Sequence, residues 1–249
     1  FGAMMGGTTA VLFVKQLDFM LLGIDHFVST YHEIRAARRE NLGSFTIVAA
    51  VYDQGFQGPQ SSFNALHDMC SLARVSGFTL TNAADAEAIA QREIHAPGFR
   101  FLCLSQRMAG DPVYTPTAVE RSPDHSTFRY QTGTDVSIIC ANFSLSHGLE
   151  LKNRLESMGH SPGLLTVNPV YGADWSLMLE EVGKTKRVIV LDDTKGVTGL
   201  GTLVTKLILQ KAPETRLVEI VRPSEIPFGV DAETFQVPSV EHLVEKLGM

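Results

Sequence analysis

The chain has 249 residues, of which 21 are basic, 27 are acidic and 44% are apolar. Its formal charge of −6 gives no electrostatic reason to expect a nucleic acid or an anionic membrane surface as a partner. This composition is typical of a soluble globular protein rather than a disordered or fibrous one, and the length favours two medium domains over one large domain.

The cysteines and the hydropathy pattern indicate the cellular compartment and whether a membrane span is expected. Cys70, Cys103 and Cys140 are odd in number and lie far apart without C-x-x-C spacing, which predicts neither a disulfide framework nor a zinc site. A reducing cytoplasm fits these cysteines best. The most apolar stretch, residues 11–31, is interrupted by charged side chains, so it falls short of the roughly 18 apolar residues that a membrane span needs.

The first half of the chain alternates short apolar runs with helical patterns. The run at 11–14 predicts a strand buried on both faces of a parallel sheet, and the spacing at 19–41 predicts a helix after it. A strand at 44–52 leads into the polar segment DQGFQGPQSS, residues 53–62, which we expect to be a loop. The pattern then continues with a helix at 63–73, strands at 78–81 and 99–105, and between them a helix opened by Asn82 or Asp85.

The alternation lapses between residues 109 and 133, where Pro, Ser and Thr occur without periodicity, and this predicts an interdomain linker. It then restarts and predicts a self-contained second unit. Its strands are expected at 135–141, 164–167, 187–191 and 217–221, and its helices at 144–158, 174–182, 200–211 and from Ser239.

This order predicts an α/β protein with two domains, each a mostly parallel sheet with helices on both faces. We place the first domain at residues 1–112, the linker at 113–132 and the second domain at 133–249. Gly196, Gly199 and Gly201 precede a predicted helix, but their spacing does not fit a dinucleotide-binding fingerprint, so we expect a closely packed turn there.

Several short sequence segments, taken in order, resemble those of a known protein family. They are Gly2 to Gly7, Phe13 to Asp25 (FVKQLDFMLLGID), Gly55 to Ser62, Pro97-Gly98-Phe99, Thr134 to Leu149, and Asp192 to Val204 (DDTKGVTGLGTLV). In this order they resemble the beta subunit of the decarboxylating first component of 2-oxo acid dehydrogenase complexes and, more broadly, the C-terminal two-thirds of transketolases. The folds implied are a thiamine diphosphate pyrimidine-binding domain followed by a transketolase C-terminal domain.

The resemblance implies a cofactor, thiamine diphosphate with magnesium, that lies between two subunits. In the family one subunit grips the diphosphate through the metal, while the other holds the aminopyrimidine ring and lends it a glutamate. The second role falls to this chain, and the glutamate would lie upstream of Phe1, so we expect an N-terminal portion to precede this sequence. An alpha-type partner that anchors most of the cofactor is implied, as is self-association to a two-fold symmetric heterotetramer.

Site residues follow from the same resemblance. The position of the aromatic residue that stacks on the pyrimidine falls near Gln16 or Leu17, and the nearest ring is Phe19. The loop histidine used for proton transfer in the family aligns with Gln60, which cannot titrate. His67, on the following helix, is then the best titratable candidate, with solvated helix surface as its alternative. The remaining substrate-side candidates in the loop are Asp53, Gln54, Gln57 and Ser61.

Three functions are compatible with these features. The first is a beta-type subunit that, with its partner, decarboxylates a 2-oxo acid and transfers the acyl or hydroxyalkyl unit. The second is a subunit of a split transketolase or acyloin synthase that moves a two-carbon ketol unit from a ketose. The third is a structural or regulatory subunit without catalytic groups, favoured by the residues at Gln16, Leu17 and Gln60.

Overall fold

The computed structural model describes residues 1–52, 64–106, 108, 116–194, 199–221 and 238–248. They form two sheets, one in each half of the chain, with helices packed against them. This agrees with the predicted α/β class with two mostly parallel sheets.

The first sheet contains four strands: β1 (Ala10–Val14), β2 (Ser44–Val51), β3 (Ser76–Leu80) and β4 (Gly98–Ser105). Their order in space is β1-β2-β4-β3, and all three pairings are parallel. The carboxyl ends of all four strands therefore meet at one edge of the sheet, where ligand sites of open α/β sheets usually lie.

The helices of the first half are α1 (Gly2–Met5), α2 (Tyr31–Ala36), α3 (Leu66–Ala73) and α4 (Ala83–Glu93). A single helix was expected over 19–41, but the chain forms a 3-10 helix at Leu17–Gly23 and a π-helical turn at His26–Thr30 before α2. The run Val28-Ser29-Thr30 weakens regular α-helix, because branched side chains lose rotamers and hydroxyls compete for backbone hydrogen bonds.

The second sheet contains six strands: β5 (Glu120–Arg121), β6 (Thr127–Gln131), β7 (Val136–Ala141), β8 (Pro162–Val167), β9 (Arg187–Asp192) and β10 (Arg216–Val221). Their order is β10-β9-β7-β8-β6-β5, with β6 antiparallel to its neighbours and the remaining pairs parallel. The helices that accompany it are α5 (Leu145–Ser157), α6 (Ser176–Thr185), α7 (Leu200–Lys211) and α8 (Val240–Leu247).

Part of the predicted linker is regular structure. Strands β5 and β6 lie inside residues 113–132, and β6 joins the second sheet beside β8. The polar residues that suggested a linker form the turn between the two strands, where Ser122 Oγ donates to Asp124 Oδ1 at 2.8 Å. Turn residues concentrate in a tight hairpin as they do in a linker, so composition alone could not separate the two. The domain boundaries themselves stay a prediction.

The two sheets share a hydrophobic core. One cluster of buried side chains joins Val48, Phe78 and Leu102 of the first sheet with Phe128 and Ile138 of the second. In the part of the chain that the structure describes, no helix is both long enough and apolar enough to cross a membrane.

Candidate functional site

Five buried polar residues connect strand ends of the second sheet with the start of α3, and we call them the strand-end network: Asn64, Asn142, Asp192, Asp193 and Thr194. Each is at most 3% exposed. Asn142 follows β7, whereas Asp192 closes β9 and is followed by Asp193 and Thr194. Buried polar groups usually have hydrogen-bond partners, but the side-chain amide oxygens of Asn64 and Asn142 are buried here and have none in the described chain.

Asp192 is the acceptor at the centre of this network. Its Oδ1 accepts from Asn142 Nδ2 at 2.7 Å and from the Thr194 N–H at 2.9 Å, and its Oδ2 accepts from the Gly201 N–H at 2.6 Å. The last donor lies in the first turn of α7, where a carboxylate is favoured by the helix dipole. With three N–H donors bound, this carboxylate holds three chain segments together.

The network also reaches the first half of the chain. Thr194 Oγ1 donates to the Asn64 carbonyl oxygen at 3.1 Å, and Asn64 Nδ2 lies 3.5 Å from the Asp193 carbonyl oxygen. Asn64 and Asn142 both have positive φ, +49° and +54°, a conformation that asparagine adopts more readily than most residues. The residue just before α3 is therefore fixed to the carboxyl end of β9.

A second set of hydrogen bonds joins the halves at β3. The Thr79 N–H and hydroxyl both donate to Asn168 Oδ1, at 2.9 and 3.0 Å, and Asn168 Nδ2 donates to the His125 carbonyl oxygen at 3.0 Å. The Gly77 N–H donates to the Pro169 carbonyl oxygen at 3.0 Å. Together with the shared core, these bonds fix the position of the first sheet relative to the second.

The residues predicted to hold a cofactor ring lie directly after β1. Gln16 and Leu17 are each 1% exposed, and Leu17 belongs to the core cluster of the first sheet, whereas Phe19 is only half-buried. The chain turns into its 3-10 helix here, and the first residues of that helix face inward. In this conformation part of Phe19 is accessible to a ligand, whereas Gln16 and Leu17 are buried next to the end of β1. The ring-holding role of these residues stays a prediction.

The predicted substrate-side loop cannot be compared with the structure. Asp53, Gln54, Gln57, Gln60 and Ser61 all lie outside the described residues. The described chain resumes at Asn64, which contacts Asp193 and Thr194 at the carboxyl end of β9.

His67 lies on α3, one turn after Asn64, and is half-buried. Burial lowers its pKa below the usual 6.5, while the carboxylates of Asp68 and Asp192 oppose that shift. Its Nδ1 is buried and has no hydrogen-bond partner in the described chain. Burial therefore favours the uncharged imidazole. Its predicted catalytic role stays a prediction.

Sequence reasoning missed the role of the strand-end network. The sequence feature that could have indicated it is the polar residues at the ends of two apolar runs, in the segments CAN at 140–142 and LDDT at 191–194. A closely packed turn was expected at Gly196, Gly199 and Gly201: Gly196 lies outside the described residues, whereas Gly199 caps α7 and Gly201 lies in its first turn, and both pack against the Asp192 side chain. Among the described residues, no group of three or more His, Cys, Asp or Glu side chains is arranged to hold a metal ion.

Comparison with known proteins finds similarity over almost the whole chain. No family model matches it. It is 19% identical over 255 residues to the pyruvate dehydrogenase E1 component subunit beta of Rhizobium meliloti, covering 98% of this chain and 54% of that protein. The protein of the same name from Rickettsia conorii is 18% identical over 254 residues, with 98% and 76% covered. The chain is related to these beta subunits. The resemblance predicted from the sequence is thereby confirmed, although the chain spans only about half the length of the first relative.

Solved structures agree in fold. A split-gene transketolase, described as an inactive beta4 tetramer, matches 99% of this chain and 77% of its own with a TM-score of 0.71 at 18% identity. Transketolase from Campylobacter jejuni matches 97% of this chain and 34% of its own with a TM-score of 0.56 at 12% identity. At these identities the likeness shows a shared fold and does not identify a substrate.

Proposed function

We propose that the chain is the beta-type subunit of a two-subunit thiamine diphosphate enzyme that decarboxylates a 2-oxo acid and transfers the resulting acyl or hydroxyalkyl unit. One observation carries the proposal: similarity to pyruvate dehydrogenase E1 beta subunits extends over 98% of the chain and thus includes both sheets. The name of these relatives favours a 2-oxo acid over a sugar as substrate. We place the enzyme in the cytoplasm, in keeping with three free, buried cysteines.

Within this proposal the chain supplies a wall for the ring end of the cofactor. When bound, thiamine diphosphate would serve as the electron sink for carbon–carbon bond cleavage. Phe19 is the described residue that fits ring contact, because it is a half-buried aromatic side chain close to the carboxyl end of β1, next to the buried Gln16 and Leu17. We assign the magnesium and diphosphate to an alpha-type partner, in a heterotetramer with two copies of each subunit.

The strand-end network would position the loop that faces the substrate. It anchors Asn64, the first described residue after the segment that contains Gln57, Gln60 and Ser61. His67, one turn later, presents a neutral imidazole close to that anchor. A decarboxylation site needs positioned substrate-side residues and a titratable group, and we assign these needs to the segment that Asn64 follows and to His67.

A second function, a split transketolase or acyloin synthase subunit acting on a ketose, is favoured by the structural comparison. The split-gene transketolase beta chain matches over almost the entire length of this chain. That structure is described as inactive in its beta4 form, which supports the expectation that a beta chain alone is not the active enzyme. A third function, a structural or regulatory subunit, is supported by the buried Gln16 and Leu17.

Calorimetric titration tests the cofactor assignment. The full chain would be titrated with thiamine diphosphate and magnesium, first alone and then co-purified with the product of a neighbouring alpha-type reading frame. We expect saturable binding by the complex and no saturable binding by the chain alone, because the partner is assigned the charged end of the cofactor. Tight binding by the isolated chain, or none by the complex, would reject the split-site assignment.

A further inference from the structure

A cavity of about 580 Å³ lies between the two halves of the chain, beside α3. Its walls come from α3 and the residues just after it, from the connection between β8 and α6, and from Leu203 of α7. Ligand pockets of proteins typically have volumes of about 300–1,000 Å³ and often lie where two domains meet. Size and position therefore both suit a small molecule.

Most of the cavity wall is apolar or aromatic. The side chains of this kind are Val75, Pro169, Val170, Tyr171, Trp175 and Leu203. Val75 and Pro169 are buried and form the base, whereas Tyr171 and Leu203 are 54% and 45% exposed and lie at the rim. Exposed apolar and aromatic side chains around a concavity would gain free energy by covering a ligand with an apolar body.

The cavity lining contains one Arg side chain, although carboxylates lie close by: Asp68 and Asp192 act on the lining residue His67, and Asp174 lies between the lining residues Ala173 and Trp175. Arg74 contributes to its lining, and its guanidinium has no ion-pair partner within the described parts of the chain. Arg35 lies over the Tyr171 ring, with Cζ 5.1 Å from the ring centroid, and its Nη1 donates to the Arg74 carbonyl oxygen at 3.0 Å. No Asp or Glu is among the described residues that line the cavity. An anion would therefore find its counter-charge at the exposed Arg74.

His67 adds a neutral polar group to the same wall. Its buried Nδ1 lacks a partner in the described chain, and burial favours the uncharged ring. His67 therefore adds no positive charge to the wall, and Arg74 is the one Lys or Arg among the described residues that line the cavity.

We propose that this cavity binds a small organic acid, with its single carboxylate paired to Arg74 and its apolar body between Trp175 and Leu203. A guanidinium pairs with a carboxylate through two parallel hydrogen bonds, which gives such a site a preference for planar acids over neutral analogues. The inference goes beyond the proposed function, because binding of the acid requires neither thiamine diphosphate nor a partner subunit.

The experiment uses Trp175, which is the only tryptophan in the 249 residues and lines the cavity. Its fluorescence would be followed while the full chain, without cofactor, is titrated with phenylacetate and, separately, with the uncharged phenylacetamide. The test variant is Arg74→Gln. The control is Arg38→Gln, because Arg38 has a similar left-handed backbone (φ 46° against 52°) and does not line the cavity.

We expect saturable quenching by phenylacetate, with affinity roughly tenfold or more higher than for phenylacetamide, because a hydrogen-bonded charge pair is lost in the amide. Arg74→Gln should remove this preference, and Arg38→Gln should keep it. Equal binding of acid and amide by the unsubstituted chain, absence of saturable quenching, or full retention of acid preference in Arg74→Gln would each overturn the proposal. The amide comparison needs no variant, so it holds even if Arg74→Gln fails to fold.

Failure of this experiment is distinguishable from failure of the proposed function. The titration contains no thiamine diphosphate and measures no turnover. A negative result would remove the acid site and leave the cofactor assignment intact, whereas a positive result would stand even if the complex showed no cofactor binding.

Discussion

Gly201 and Asp192 lie so close together that no side chain fits between them. The Gly201 N–H donates to Asp192 Oδ2 at 2.6 Å, and a Cβ added to Gly201 would lie 2.8 Å from the Asp192 Cβ. The first turn of α7 thereby rests directly on the end of β9. The glycine is needed because of this close approach, and its spacing to Gly199 serves packing and not nucleotide binding.

Substituting Gly201→Ala should lower the free energy of unfolding by about 1–3 kcal/mol, because the new methyl group would push α7 away from β9. The matched control is Gly183→Ala in α6, where an added Cβ meets nothing within 4 Å. Alanine should raise helix stability there by about 0.5–1 kcal/mol. Urea unfolding of both variants measures the difference, and equal stabilities would show that the contact is looser than described.

Asp192→Asn should destabilise the chain by about 1–3 kcal/mol, because an amide group would turn a donor toward one of the three N–H groups that the carboxylate now accepts. The control Asp25→Asn changes an exposed carboxylate that accepts from Ser29 Oγ and should alter stability by less than about 0.5 kcal/mol. Thermal and urea unfolding would compare them. Similar losses in both variants would contradict the central place of Asp192 in the network.

Neighbouring residues after β1 should respond differently to truncation. Leu17→Ala should cost about 2–5 kcal/mol of unfolding free energy, because Leu17 is 1% exposed in a core cluster. Phe19 is half-buried, so Phe19→Ala should cost less stability but weaken thiamine diphosphate binding by the complex. Unfolding and calorimetric titration separate the two effects. Unchanged cofactor affinity in Phe19→Ala would remove Phe19 from the proposed ring site.

His125 should make the chain less stable in weak acid. Burial, assisted by Arg92 and Arg121, lowers its pKa from 6.5 to about 4. The unfolded state then binds more protons than the folded state between these values, so stability is lost as the pH falls from about 6.5 towards 4. The size of the loss is on the order of 1–3 kcal/mol.

The variant His125→Asn cannot titrate and tolerates the positive φ of 58° at this position. Its stability should therefore vary less between pH 6.5 and 4 than that of the unsubstituted chain. His242→Asn, in an exposed position on α8, serves as control and should leave the pH profile unchanged. A profile that is equally steep in His125→Asn would show that other groups cause the acid sensitivity.

Much of the fold was predictable because most of its strands are apolar runs, but the expectation that the strand at 11–14 is buried on both faces was wrong: β1 lies at the edge of the first sheet, and Phe13 is 75% exposed. Helix α7 was expected at 200–211 and is observed at Leu200–Lys211, and Ser239 caps α8 by accepting from the His242 N–H. The hairpin of β5 and β6 was not predicted. Residues Thr127–Gln131 alternate between polar and apolar, but all of them except Gln131 are buried. The charge of the buried Arg129 is balanced by ion pairs with Glu120, Glu180 and Glu181.

The candidate site was less predictable, because it depends on contacts between distant segments. The sequence showed that polar residues follow β7 and β9. It did not show that the Asp192 carboxylate would accept hydrogen bonds from residues 142, 194 and 201. Likewise, periodicity gave no sign that Gln16 would be buried as deeply as Leu17. Pairing of strands and burial of loop residues are set by tertiary structure, which local patterns do not encode.

We propose that this chain contributes to thiamine diphosphate catalysis only together with an alpha-type partner. The most direct measurement is release of labelled carbon dioxide from a panel of 1-¹⁴C-labelled 2-oxo acids, with thiamine diphosphate and magnesium, by the chain alone, the partner alone and the co-purified complex. A parallel assay with ketose donors would detect two-carbon transfer by mass spectrometry. We expect carbon dioxide release by the complex and none by either subunit alone. Turnover by the isolated chain, or a complex inactive on both substrate classes, would contradict it.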